Sequence, residues 1–224
     1  MNYRRLKIWS LGLRIFHWAF ALSIMVLCLT GYYIHHPFAL GIWTGVKTNF
    51  LMAKVRYTHF VAAYIFMAAV FFRLYLFFFG NRFERLIDFL PLSSRNIRRL
   101  RLTIRHYLYL TDGDTRHGGH NPLAGTIYTG IILLSLVMIM SGLFLLFPEN
   151  HLWASWGVAL FGSQQMARLV HYFLFWVFLV FVLIHIYLVI WHEIFGSEAL
   201  ISSIFSGYKF LPKDKESKPR EVGI

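Results

Sequence analysis

"HYFLFWVFLVFVLIHIYLVIWHE", residues 171–193, decides the fold. No Asp, Glu, Lys or Arg interrupts it before Glu193. As a helix rising about 1.5 Å per residue it is long enough to cross a hydrocarbon core of about 30 Å. A helix is also the state in which a backbone in lipid satisfies its own hydrogen bonds. Two imidazoles, His171 and His185, nevertheless sit in this apolar run, and an ionisable side chain at membrane depth calls for a chemical reason.

The rest of the chain follows the same pattern. Of 224 residues, 58% are hydrophobic, 19% aromatic and only 14% charged, which excludes an ordinary soluble domain. Four stretches are long and apolar enough to span: about 15–34, 57–79, 123–147 and 169–195. The expectation is an all-α membrane protein, one transmembrane domain over 1–224 built as a four-helix bundle. The apolar run after Arg4, Arg5, Lys7 and Arg14 ends without a small-residue cleavage site, so it reads as an uncleaved first span. A lone Cys28 excludes an internal disulfide and cysteine-ligated clusters, which leaves histidine for any redox chemistry.

Charge sets the expected orientation. The N-terminus, the loop 80–119 and the tail 196–224 together carry 17 Lys and Arg, whereas the opposite side carries Lys47, Lys54, Arg56 and Arg168. By the positive-inside rule both termini face the cytoplasm. The net charge of +12 then reflects topology and anionic membrane lipid, and no nucleic-acid partner is expected. Within the inner loop Ile97, Leu100, Ile104 and Leu108 recur at helical spacing among arginines, as in an amphipathic surface helix, with a solvated basic linker as the alternative. The outer loops 35–56 and 148–168 carry Trp43, Trp153 and Trp156, suited to headgroups or a partner protein.

Depth sorts the histidines. Antiparallel spans put His17 at the cytoplasmic start of the first span and His59 at the outer start of the second. His171 lies at the outer end of the fourth, and His185, fourteen residues on, lies about 21 Å deeper. Fourteen residues at about 100° each leave a net offset of about 40°, so His171 and His185 share one helix face. His59 pairs with His171 and His17 with His185. Paired imidazoles from different helices at two levels are what two six-coordinate haems require. Gly31, Ala62, Ala63, Gly125 and Gly130 would allow close approach.

Arg14, Arg56 and Arg168 each precede a paired histidine by three positions, on the same face and one turn nearer the surface. They suit haem propionates, or alternatively snorkel to headgroups. His192, at the cytoplasmic edge of the fourth span, suits a propionate or quinone contact or a helix-terminal cation. His35, His36 and His151 in outer loops, and His106 and His117 in the inner loop, read as solvated.

"RIFHWAFALSIMVLCLTG" (14–31), "GHNPLAG" (119–125) and "HIYLVIWHEIFGSEALISSIFSGYK" (185–209) resemble the b-type cytochrome subunit of membrane-bound nickel-iron hydrogenases, over nearly the whole chain. A looser resemblance extends to the cytochrome subunits of formate dehydrogenases. The resemblance implies two b haems held by His17 with His185 and His59 with His171. It implies as partners an iron-sulfur small subunit and a nickel-iron large subunit at the outer face. The chain would then be an electron-transfer subunit and not itself an enzyme, in the inner membrane of a prokaryote. Electrons would pass from hydrogen through both haems to menaquinone or ubiquinone, the whole complex acting as a hydrogen:quinone oxidoreductase. A higher oligomer of that complex is compatible with the plan. Asn121 of "HNP" corresponds to a quinone-site asparagine of the formate dehydrogenase relatives, while helix capping beside Pro122 is the alternative. The rival classes are a formate dehydrogenase-like cytochrome, a proton-coupled transporter using His59 and His171, and a plain membrane anchor.

Overall fold

The computed structural model describes residues 3–38, 50–81, 84–86, 97–98, 100–102, 105, 122–195 and 200–212. Asn121, Trp43, His106 and His117 lie outside the described residues. Six helices and two short strands are described: β1 (Tyr3–Lys7), α1 (Leu11–His35), α2 (Leu51–Phe79), α3 (Pro122–Leu146), α4 (His151–Phe161), α5 (Gln164–Phe195), α6 (Leu200–Ser206) and β2 (Tyr208–Pro212). Four of these helices, α1, α2, α3 and α5, are long and apolar enough to cross a membrane.

Local chemistry fixes where the helices begin and end. Leu13 N–H donates to Ser10 Oγ at 3.0 Å, so a serine satisfies one of the free donors that start α1. Pro122 opens α3 at a position where no backbone donor is lost. Asn150 Oδ1 accepts from Leu152 N–H at 3.0 Å and starts α4. Gly162, at φ +75°, ends α4, and Ser163 accepts from Met166 N–H at 3.2 Å to start α5. The α2 helix begins six residues before the expected boundary, because Lys54 and Arg56 are accommodated in its exposed first turns. His35 closes α1 and His151 opens α4, although both were expected in loops. Of the expected inner-loop helix, residues 97–98, 100–102 and 105 are helical and the remainder lies outside the described residues.

The chain groups into two compact units. The larger spans Phe16–Val180 and holds parts of all four long helices. Its interior is aromatic and aliphatic: Phe20 stacks on Phe66 at 5.1 Å, and Phe66 meets Phe178 edge-on at 6.1 Å. Phe77 and Ile132 join α2 to α3. Gly157 of α4 lies so close to the Phe144 ring of α3 that a Cβ there would overlap it. Ser135 and Ser141, both fully buried on α3, donate to the Ile131 and Met138 carbonyls, which lets polar residues lie in an apolar bundle. Outward faces carry exposed Leu22, Met25, Leu29, Ile65, Phe72 and Leu183, as expected where lipid is the solvent.

The smaller unit joins the two ends of the chain, Met1–Ile15 with Phe181–Ile224. β1 and β2 pair antiparallel, from Tyr3 opposite Pro212 to Lys7 opposite Tyr208. The Gly207 carbonyl accepts from Ile8 and Trp9 N–H at 3.0 and 3.2 Å. Gly207 itself adopts φ +85°, which favours glycine. The segment read from sequence as a tail therefore contains a helix and a paired strand. Pairing between segments some two hundred residues apart leaves no local signature in either one.

Candidate functional site

A cavity of about 650 Å³ opens among α1, α2, α3 and α5 in the larger unit. That volume lies within the range of ligand-binding pockets. His59 of α2 and His171 of α5 both line it, together with Arg56 and Arg168. Helical spacing explains the company: each arginine stands one turn before its histidine on the same face, and both arginines are exposed at its edge. The rest of the wall is largely apolar, with Ala63, Phe66, Met138 and Phe178 among its members.

Each imidazole is tethered in the same way. Thr30 Oγ1 of α1 lies 2.9 Å from His59 Nδ1, and Ser141 Oγ of α3 lies 2.9 Å from His171 Nδ1. With Nδ1 engaged, Nε2 is the nitrogen left for a ligand. The next residue in each case is glycine. A Cβ on Gly31 would stand 3.4 Å from His59 Cε1, and one on Gly142 would stand 3.3 Å from His171 Cε1. The hydroxyl holds the ring and the glycine makes room for it.

These residues fit a haem on three counts. Two neutral nitrogen donors from different helices face one cavity, its walls are suited to a porphyrin, and cationic side chains stand at its edge where propionates would emerge. The sequence predicts His59, His171, Arg56 and Arg168 at this place, and Gly31 and Ala63, expected there only to allow close approach of helices or a macrocycle, also line the cavity. Thr30, Ser141 and Gly142 escaped the sequence reading, although "TG" at 30–31 and "SG" at 141–142 precede the two R-x-x-H segments at matching distances. His35 was also missed: its ring stacks on Tyr172 at 3.8 Å, and both line the cavity.

Of the other candidate residues, His17 belongs to the larger unit and Arg14, His185 and His192 to the smaller. His17, half-buried in the larger unit, meets Trp18 edge-on at 5.4 Å. His185, half-buried in the smaller unit, stacks on Phe181 at 5.7 Å. Arg14 of the smaller unit lies against Gly207, with Nη1 3.1 Å from the place a Cβ would occupy. His192 is in α5, but its side chain lies outside the described residues. Arg73, inside the second span, is 3% exposed. Its guanidinium lies 4.2 Å over the Phe77 ring and donates to the Glu84 carbonyl at 3.3 Å.

Comparison with known proteins places this geometry in context. The sequence profile described as "Prokaryotic cytochrome b561" matches residues 8–207. A Cupriavidus necator protein called "Probable Ni/Fe-hydrogenase B-type cytochrome subunit" is 34% identical over 211 residues, covering 90% of this chain and 86% of that protein. A protein of the same name from Azotobacter vinelandii is 31% identical, covering 93% and 90%. The "Probable Ni/Fe-hydrogenase 1 B-type cytochrome subunit" of Escherichia coli K12 is 31% identical, covering 88% and 87%.

Proposed function

The chain belongs to the prokaryotic cytochrome b561 family, and on that premise we propose that it is the dihaem membrane subunit of a nickel-iron hydrogenase, carrying electrons from hydrogen oxidation to a membrane quinone. The single observation that carries the proposal is the pair His59 and His171, tethered through Nδ1 and lining one cavity. The names of the relatives support the hydrogenase assignment over the formate dehydrogenase one.

In this reading His59 and His171 hold the outer b haem and His17 with His185 the inner one. Arg56 and Arg168 serve the outer propionates and Arg14 an inner one. A haem bound between two imidazoles supplies a reversible one-electron iron couple. The chain's own residues orient it, exclude water from its faces and neutralise its carboxylates. Asn121 and His192, which the span boundaries in the sequence assign to the cytoplasmic side, would hydrogen-bond a quinone through an amide and an imidazole. Both termini lie in the cytoplasm, which puts the outer haem on the side of the iron-sulfur small subunit and the nickel-iron large subunit. Quinone reduction with protons taken from the cytoplasm, while hydrogen is oxidised outside, builds a membrane potential.

Purification from the native membrane tests the reading. Low-spin b-haem bands, two haems per chain and co-purifying hydrogenase subunits are expected. A haem-free chain, or a formate dehydrogenase as the partner, overturns it. Proteoliposomes of the complex oxidising hydrogen without a potential change would exclude the electrogenic part alone.

A further inference from the structure

The two tethers around the cavity use the same local device on different helices. Thr30 Oγ1 donates to the Val26 carbonyl at 2.7 Å, and Ser141 Oγ donates to the Met138 carbonyl at 3.0 Å. A hydroxyl has one proton. With that proton on the helix carbonyl, the hydroxyl oxygen meets the imidazole only as an acceptor. His59 and His171 must each donate from Nδ1–H, which leaves the Nε2 lone pair bare and aims it away from the tether.

The device also recurs in sequence. Thr30 and Gly31 precede His59 by 29 residues from the hydroxyl, and Ser141 and Gly142 precede His171 by 30. In each half a hydroxyl-glycine pair sits on one span, and an Arg-x-x-His segment, Arg56 to His59 or Arg168 to His171, opens the next long helix. The cavity is therefore lined by two half-sites of one design, α1 with α2 and α3 with α5.

We propose that Thr30 and Ser141 are positioning residues that lock His59 and His171 as Nδ1–H tautomers and, by accepting that proton's hydrogen bond, increase the electron donation of both rings to the metal they bind. The proposal rests on the haem reading of this cavity. A hydrogen bond accepted from the far nitrogen of a ligating imidazole fixes its orientation and raises its basicity. A more basic ligand favours the oxidised iron, so the two hydroxyls hold the reduction potential of this site down. The serine and threonine differ only by a methyl group and should be interchangeable in this respect.

The test uses the purified haem-loaded cytochrome with Thr30→Val, which removes the acceptor while changing volume little, and Ser141→Ala, which removes the hydroxyl but leaves the Met138 carbonyl that also hydrogen-bonds His171, beside Thr30→Ser and Ser141→Thr, which keep the hydroxyl. Spectroelectrochemical titration and ferric low-spin EPR read the result. Loss of either hydroxyl should raise the reduced-to-oxidised ratio of one haem at fixed ambient potential by about threefold to tenfold, tenfold being ~59 mV for one electron. The g-values of that haem should move with it. The other haem should be unchanged, and the hydroxyl-retaining variants should match the parent. Selective loss of that one haem in Thr30→Val but not in Thr30→Ser would support the same role. Full haem content with unchanged potential and g-values in Thr30→Val, or in Thr30→Ala should Thr30→Val fail to assemble, overturns the inference. His59→Ala separates the premise from the inference, since retention of both haems there refutes the haem reading itself.

Discussion

The Trp9 indole N–H donates a 3.1 Å hydrogen bond to Ser203 Oγ, a residue 194 positions further along the chain. Ser203 is buried, and its backbone carbonyl also accepts from Gly207 N–H at 2.8 Å. The bond fastens the entry of the first span to the segment that follows the last. Ser203→Ala should loosen this unit by about 0.5–1.5 kcal/mol, the usual net worth of one half-buried hydrogen bond. Faster proteolysis around residues 200–212 is the expected readout, and unchanged cleavage would show that the β1–β2 pairing holds the segment alone.

Removing either imidazole of the cavity should remove one haem. His59→Ala and His171→Ala are each expected to lower haem content from two per chain to one, because a single remaining nitrogen leaves the iron one axial bond short. His17→Ala and His185→Ala should do the same for the second haem. A variant pair that deletes different haems from one supposed site would break the pairing.

The glycine beside each tether gives a graded test. A side chain larger than Ala at Gly142 must displace the His171 ring, since even a Cβ stands 3.3 Å from its Cε1. Gly142→Leu should abolish haem binding at this cavity. Gly130→Ala, on the same helix with nothing within 4 Å of the added Cβ, should leave haem content intact. Equal haem loss in both variants would point to helix disruption instead.

Gly157 reports on how α4 is seated. Its Cβ would overlap the Phe144 ring, so Gly157→Ala should cost about 1–3 kcal/mol through overpacking. A lowered unfolding temperature in detergent is expected, with partial recovery when Phe144→Leu is added. No change in the single variant would mean that the ring moves freely.

Orientation can be read by labelling. In a Cys28→Ser background, Ser155→Cys on α4 and Ser202→Cys on α6 place thiols at two exposed positions. An impermeant maleimide should label the first in intact right-side-out membranes and the second only in inverted ones. The opposite pattern would invert the topology deduced from the arginine and lysine distribution.

Composition and periodicity alone give the class of the molecule and bring four residues, His59, His171, Arg56 and Arg168, toward one cavity. Four apolar runs require four helices in lipid, and the 3.6-residue period puts Arg56 with His59, and Arg168 with His171, on common faces. Those are local consequences of composition and periodicity. The helix ends were less legible, because Lys54 and Arg56 can extend α2 beyond the apolar run at little cost when they face outward. Relationships between distant segments come from packing alone. Thr30 meets His59 and Ser141 meets His171 because neighbouring helices pack at one particular depth and rotation, which the pattern of either helix alone leaves open. The joining of β1 to β2, and of Trp9 to Ser203, is of the same kind: hydrogen bonds between the two ends of the chain exist only once the spans between them have folded.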